Sequence, residues 1–299
     1  MIVLGRDLFS RKLAEELKAE FVEVFHKKFP DGEYYFRISE PDKLKGRKAF
    51  VVVRRTMNNL DQNGMIIESL LLADKIKGLE AEKSCLVLPY MPYARQDKEF
   101  LKGEVVSVKT LRDMLTEKYD LVLNVTSHDL RKEGWINEKA YNIDATDSII
   151  EFFRKMNFKD PIVIAPDMTA SENVERLAKA IGGNTLAVEK KRDYNTGHIT
   201  SNITKLPNFS GQELIIFDDI CSTGGTLYKA IGLTKKAKAR KIIAVVIHLL
   251  DVYNEKFGKN SVELIENSAD EFHATDTIET PLSDISVIGQ IGDFLKKNF

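Results

Sequence analysis

Residues 215–226 read Ile215-Ile216-Phe217-Asp218-Asp219-Ile220-Cys221-Ser222-Thr223-Gly224-Gly225-Thr226. An apolar segment from Leu214 to Phe217 runs into paired carboxylates, then a small glycine-containing loop, then a helical pattern from Leu227 onward. That order predicts a strand, a polar pair at its carboxyl end and an anion-binding turn. Gly224 and Gly225 let backbone approach a ligand closely, and Ser222, Thr223 and Thr226 add hydroxyl donors. The following helix directs its unpaired N–H groups and its positive dipole end at the same point. A phosphate monoester suits such a turn. Asp218 and Asp219 do not bind phosphate, but they can accept hydrogen bonds from sugar hydroxyls or hold a divalent cation nearby. Phosphate together with vicinal hydroxyls describes a ribose phosphate. A plain helix cap is the alternative, and it needs no adjacent acids before it.

Other phosphate motifs are absent. The chain has no Gly-x-x-x-x-Gly-Lys-Ser/Thr and no Gly-x-Gly-x-x-Gly, and a phosphatase pattern built on Cys221 wants an arginine where Leu227 stands. Cys221 is therefore read as a small packing residue. The loop resembles the binding loop for the 5-phosphate and ribose in type I phosphoribosyltransferases.

A chain of 299 residues with 43% hydrophobic content can bury one or two full cores, and its length favours two. A net charge of −1 gives no reason to expect nucleic acid or acidic membranes as partners. No long apolar span or basic leader is read, and Cys85 and Cys221 make no metal-ligand spacing, so the expected setting is a reducing cytoplasm.

Short β-branched runs alternate with helical patterns. Ile2–Leu4, Phe50–Val53, Cys85–Leu88, Leu121–Val125, Ile162–Ala165, Thr185–Val188, Leu214–Phe217 and Ile242–Ile247 read as strands. The expected class is α/β, with mainly parallel sheets flanked by helices and ligands at the carboxyl ends of the strands. The halves look duplicated. Phe50–Val53 pairs with Ile162–Ala165, Cys85–Leu88 with Thr185–Val188, and Leu121–Val125 with Leu214–Phe217, which divides the chain into residues 1–144 and 145–299. The final helix, Ile288–Lys297, is expected to pack back on the first half.

Two further polar segments stand out. Phe29-Pro30-Asp31-Gly32-Glu33 has the composition of a β-turn with one aromatic and two acids. Pro89 to Asp97 ends in Tyr93-Ala94-Arg95-Gln96-Asp97, where Arg95 can stack on a base or grip a phosphate. Taken with the 217–226 run, these segments resemble the ribose-phosphate pyrophosphokinase family in order and spacing along nearly the whole chain. The resemblance implies two tandem type I phosphoribosyltransferase-like domains. It also implies transfer of the β,γ-diphosphoryl group of ATP to the anomeric hydroxyl of ribose 5-phosphate, with magnesium, giving 5-phosphoribosyl 1-diphosphate and AMP.

By the same resemblance, Phe29, Asp31, Gly32, Glu33, Arg95, Gln96 and Asp97 are ATP-binding, partly across a subunit interface. Lys190 and Arg192 match a catalytic Lys-x-Arg, and Arg192 joins Asp218, Asp219, Ser222, Thr223, Gly224, Gly225 and Thr226 around ribose 5-phosphate. His128 and Asp167 match the magnesium positions. In two places the chain departs from the family's pattern. Thr126 stands where the family often has an aspartate, and 167–173 lacks the usual glycine and basic residue. The resemblance further implies a homo-oligomer, a dimer or a hexamer of dimers. A phosphoribosyltransferase consuming the product and a non-catalytic regulatory relative remain as rivals. The first would not need the two ATP segments, and the second would not need Lys190, Arg192 and His128.

Overall fold

The structure, a computed structural model, describes residues 1–56, 61–130, 132–166, 171–186, 191–192, 199–200 and 207–299. The chain divides into two compact units. The first holds Met1–Ala145, Asp276–Glu279 and Ser286–Phe299, and the second holds Thr146–Thr275 and Thr280–Ile285.

The first unit is built on an eight-stranded sheet. Its strands are β1 (Ile2–Gly5), β2 (Glu20–Lys28), β3 (Tyr34–Ile38), β4 (Lys48–Val52), β5 (Lys83–Leu88), β6 (Leu121–Val125), β7 (Gly134–Asn137) and β8 (Ala140–Ile143). They lie in the order β3-β2-β1-β4-β5-β6-β8-β7, parallel except at the two edge pairs, β2–β3 and β7–β8. Central strands such as β1 and β6 are buried along their whole length, because helices on both faces leave no polar side. Those helices are α1 (Leu8–Glu16), α2 (Gln62–Gly78) and α3 (Ser107–Lys118). Toward the edge, β2 alternates: Val22 and Val24 are buried while Glu23 and Phe25 face out. That half-polar pattern is why the apolar-run reading missed the hairpin.

A buried ion pair ties the ends of two strands in this unit. Arg54, just past β4, donates from Nε to Asp7 at 2.7 Å and from an Nη to the Asp276 carbonyl at 2.7 Å. Asp7 also caps α1 by accepting the Ser10 N–H at 2.9 Å. Burial alone would raise the Asp7 pKa, but Arg54 and the Ser10 bonds outweigh it and hold the carboxylate below its ordinary value.

In the second unit the strands are β9 (Ile162–Ile164), β10 (Asn184–Thr185), β11 (Lys191–Arg192), β12 (Ile199–Thr200), β13 (Glu213–Cys221), β14 (Lys241–Leu249), β15 (Tyr253–Asn254), β16 (Lys259–Asn260), β17 (Glu271–Thr275) and β18 (Ser283–Ile285). Six of them form a parallel sheet in the order β10-β9-β13-β14-β17-β18, and β11–β12 and β15–β16 are small antiparallel pairs. The helices are α4 (Thr146–Phe153), α5 (Glu172–Ala180), α6 (Gly225–Lys236) and α7 (Ser261–Glu266). Leu227, Ala230 and Ile231 of α6 share one apolar cluster with Leu214 and Ile216 of β13 and Ala244 and Val246 of β14.

The halves repeat, but in a different register from the one the sequence indicated. In the first unit β1 leads through α1 to β2 beside it, and β4, β5 and β6 then follow on the other side. In the second, β9 leads through α5 to β10, and β13, β14 and β17 follow. The equivalent strands are therefore β1 with β9, β4 with β13, β5 with β14 and β6 with β17. Pairing Phe50–Val53 with Ile162–Ala165 and Leu121–Val125 with Leu214–Phe217 was shifted along the chain. Every strand of a parallel sheet ends in a polar loop at the same edge, so a shifted match looks as good as the true one.

The repeat also explains the C-terminal helix α8 (Ile288–Asn298). Helix α4 precedes β9 and packs on α5, while α8, last in the chain, packs on α1, the equivalent of α5. Ile291 and Leu295 are buried, and a Cβ at Gly292 would lie 2.5 Å from Glu16 Cγ, so glycine permits the close approach. Phe294 stacks on Tyr141 at 4.1 Å, and Phe299 meets Phe50 edge-on at 5.3 Å. Leu295→Ala is expected to destabilise the first unit by about 2–5 kcal/mol in denaturant titrations, the cost of a buried cavity rather than of a frayed terminus.

A second expectation concerns pH. His273 on β17 places Nδ1 2.6 Å from Asp284 on β18 and Nε2 3.3 Å from Glu271, with its ring against Phe152 and Phe153 of α4. Glu271 in turn pairs with Lys241 at 2.5 Å. Burial disfavours the imidazolium, but the two carboxylates outweigh it and raise the His273 pKa. A raised folded pKa gives stability that is complete below the unfolded value of about 6.5 and is lost as pH rises through the folded value. The denaturation midpoint of the wild type should therefore exceed that of His273→Gln by more at about pH 5.5 than at about pH 9.

Candidate functional site

Within the second unit, β13 runs through both carboxylates to Cys221, beyond the expected end at Phe217, because β14 continues to pair with it as far as Leu249. Adjacent positions on an extended strand project to opposite faces, so Asp218 and Asp219 do not act as one pair. The Asp219 N–H donates to Asp218 Oδ1 at 3.0 Å. Cys221 is buried and its thiol is pushed up to about 12, chiefly by burial, so it packs rather than attacks.

The turn itself pivots on Gly224, which takes φ 74° and is the N-cap of α6. A side chain at 224 would be strained at that φ and would also place its Cβ 3.1 Å from Ser261 Cβ. No side chain caps α6. Its first amides and positive end are thus open to an anion, flanked by half-buried Ser222 and by exposed Thr223 and Thr226. Behind the turn, Leu250 N–H donates to the Cys221 carbonyl at 2.9 Å and Val252 N–H to the Ser222 carbonyl at 3.2 Å. Asn254 Nδ2 donates to the Thr223 carbonyl at 2.8 Å. No motif flagged Asn254, since its role depends on a contact made 31 residues away in sequence.

Arg192 lies on the β11 backbone opposite Ile199, and Lys190 and Asp167 lie outside the described residues.

In the first unit, residues 29–33 form the turn of the β2–β3 hairpin. Phe29 N–H donates to the Glu33 carbonyl at 2.8 Å, Glu33 N–H to Asp31 Oδ1 at 3.1 Å, and Gly32 has φ 98°. Lys27 stands 4.5 Å from the Phe29 ring, which meets Tyr35 edge-on at 6.3 Å. Phe25, Phe29 and Tyr35 together leave an aromatic patch exposed.

Arg95, Gln96 and Asp97 follow β5. Gln96 N–H closes a turn onto the Tyr93 carbonyl at 2.9 Å, Gln96 Oε1 accepts from Ser107 at 2.5 Å, and Arg95 is exposed. His128 follows β6 and is also exposed. Its loop is pinned from both sides: Ser127 N–H donates to Asn142 Oδ1 at 2.9 Å, and neighbouring Asp129 is held by buried Arg112 at 2.8 Å. Thr126 is structural here, with φ 39° and a hydroxyl that accepts the Ala145 N–H at 2.9 Å. Positive φ at Tyr93 and Thr126 places backbone strain at the ends of β5 and β6, beside these candidate residues.

All these loops leave the carboxyl edge of one sheet. β5 and β6 are neighbours, which brings the Arg95 and His128 loops side by side. The hairpin rises from β2, three strand spacings from β5, or roughly 14 Å, and does not converge on them within the sheet. A groove of about 440 Å³ between β3 and α2, lined by Phe36, Ile38, Leu71 and Lys75 among others, contains none of the candidate residues. Among the described residues no group of three or more His, Cys, Asp or Glu side chains forms a metal cage.

Comparison with known proteins covers both units. Residues 5–118 match the model for the N-terminal domain of ribose phosphate pyrophosphokinase, and residues 136–275 match the phosphoribosyl transferase domain. The ribose-phosphate pyrophosphokinase of Pyrococcus furiosus is 33% identical over 297 residues, covering 99% of this chain and 100% of its own. Ribose-phosphate pyrophosphokinase 2 of Archaeoglobus fulgidus is 33% identical over 287 residues, with 96% of each chain covered. The crystal structure of phosphoribosylpyrophosphate synthetase from Mycobacterium smegmatis superposes with a TM-score of 0.79 at 23% identity, over 99% of this chain and 97% of the other, and so shares the fold. With both units matched and relatives aligned from end to end, the chain belongs to the ribose-phosphate pyrophosphokinase family.

Proposed function

We propose that the protein transfers the β,γ-diphosphoryl group of ATP to the anomeric hydroxyl of ribose 5-phosphate, giving 5-phosphoribosyl 1-diphosphate and AMP. The observation that carries this reading is the open turn at Ser222–Thr226, where strand-end carboxylates precede a helix whose first amides no side chain caps. There the amides of Gly225 and Thr226 and the hydroxyls of Ser222, Thr223 and Thr226 hold the 5-phosphate, and Gly224 lets the backbone come close to it. The sugar hydroxyls meet Asp218 or Asp219, one of the two because their faces differ.

ATP is assigned to Phe29, Asp31, Gly32, Glu33, Arg95, Gln96 and Asp97. Because the hairpin stands three strands from β5 and exposes aromatic rings, it suits sharing with a second copy of the chain, in a homo-oligomeric, cytoplasmic enzyme. His128 and Asp167 are assigned to magnesium. The donor chemistry fits that ion: an exposed imidazole at His128, beside ATP, and the carboxylate of Asp167, at a second magnesium, are each the kind of single ligand that would add to an ion held by substrate oxygens, whereas the described residues form no cage for a bare ion. When bound, magnesium neutralises charge on the phosphate oxygens.

The step is a direct displacement. The anomeric oxygen forms a bond to the β-phosphorus, the bond from that phosphorus to the α,β-bridging oxygen breaks, AMP leaves with the bridging oxygen, and the hydroxyl proton goes to solvent. Lys190 and Arg192, two positions apart in the sequence, are assigned to stabilising charge on the transferred group. Holding the sugar by its phosphate and hydroxyls supplies the alignment.

Phosphorus NMR of the protein with ATP, magnesium and ribose 5-phosphate is expected to show AMP appearing together with a new diphosphate ester. ADP with a bisphosphorylated sugar, or no turnover, would sink the reading. Lys190→Ala should lower kcat by about 10²–10³ while leaving the KM for ribose 5-phosphate within about twofold. An equal loss in both would make Lys190 a binding residue instead.

A further inference from the structure

The outer side of the phosphate turn is held by residues 250–254. Leu250 and Val252 donate their main-chain N–H groups to the carbonyls of Cys221 and Ser222, in the manner of a sheet ladder carried past the end of β14. The third carbonyl, that of Thr223, falls where the chain turns off into the β15–β16 hairpin. There the side-chain amide of Asn254 takes over the donor role at 2.8 Å.

Peptide planarity turns this into a constraint on the inner side. In a trans peptide the N–H points opposite to the C=O, so fixing three successive carbonyls fixes the amides of Ser222, Thr223 and Gly224 in the reverse direction. The Gly224 amide meets the sulfur of Cys221. The Thr223–Gly224 peptide is thus clamped at both ends, immediately before the left-handed residue from which α6 starts. Its tilt sets where the amides of Gly225, Thr226 and Leu227 point.

Asn254 is itself immobilised for this task. It is 9% exposed, its Oδ1 accepts the Lys256 N–H at 3.2 Å, and its carbonyl accepts from Phe257 at 3.1 Å and Gly258 at 2.9 Å. Phe257 in turn packs on Tyr228 of α6 at 4.7 Å. The contact to Thr223 needs a donor, so aspartate, though nearly the same shape, would set an oxygen against an oxygen.

We propose that Asn254 is a positioning residue for the sugar phosphate: by fixing the Thr223–Gly224 peptide it holds the first amides of α6 ready for a phosphate monoester. This rests on reading Ser222–Thr226 as the ribose 5-phosphate loop. The test is steady-state kinetics with thermal melts on the full chain, comparing wild type, Asn254→Ala, Asn254→Asp and a hairpin control, Lys259→Ala, which removes only a surface pair to Glu263. Asn254→Ala should raise the KM for ribose 5-phosphate about tenfold. Asn254→Asp should raise it further, because its charge also repels the phosphate. The KM for ATP should stay at its wild-type value in both while the loss of a buried hydrogen bond lowers the melting temperature by a few degrees, and Lys259→Ala should match wild type throughout. An unchanged ribose 5-phosphate KM in a working enzyme overturns the proposal alone, as does an equal rise of the KM values for ribose 5-phosphate and ATP. If the wild type shows no saturation by ribose 5-phosphate, the reading of the loop itself falls, and the proposal with it.

Discussion

A strand of a parallel sheet can hand over to a helix whose free amides face outward only if the chain turns within a residue or two, and at Gly224 it does so at φ 74°. Much of the second unit is arranged around that turn. β13 lies between β9 and β14 in the sheet, α6 shares the apolar cluster beneath it, and Ser261 closes the space a side chain would take. Three carbonyls are bonded from behind, so the energy that orders the turn comes from the protein rather than from a ligand. An anion arriving there meets donors whose orientation is already fixed.

The first unit meets a different constraint, which is how to cover α1. The second unit has α4 ahead of β9 to cover α5. In the first, the equivalent place against α1 is taken by α8, which follows β18 in the chain. Gly292 lets it come close, and Phe294 and Phe299 fix it against Tyr141 and Phe50. The Arg54 contact with the Asp276 carbonyl ties the returning segment to the ends of β1 and β4.

Legibility in the sequence followed burial. Strands covered on both faces, such as β1, β4, β5, β6 and β14, are continuous apolar runs and could be read directly. Half-polar β2 and the short pair β15–β16 could not, because their pattern does not differ from that of a turn or a helix edge. Missing β2 cost the true register of the repeat. The strand, turn and helix around Gly224 were legible because an apolar run, then carboxylates, hydroxyls and paired glycines, then a helical pattern follow one another there. Asn254 was not, because a side chain bonding one distant carbonyl leaves no local signature. The strained φ angles at Tyr93 and Thr126 were equally hidden, since neither residue type announces a left-handed backbone.

The repeat offers an internal control for what makes the turn at Gly224 special. Its counterpart lies after β4, the strand equivalent to β13, where α2 begins. At that helix the N-cap is Asp61, whose carboxylate accepts the Gly64 N–H at 2.7 Å. A carboxylate in that place occupies an amide and sets a negative charge where a phosphate would have to sit. Arg54 at the same strand end is not turned to a ligand either, since Asp7 neutralises it. One copy of the motif thus satisfies its helix end with its own side chain, while the other replaces that side chain with glycine and leaves the end open. Between these two equivalent helix ends, the difference is whether the residue at the cap brings its own oxygen.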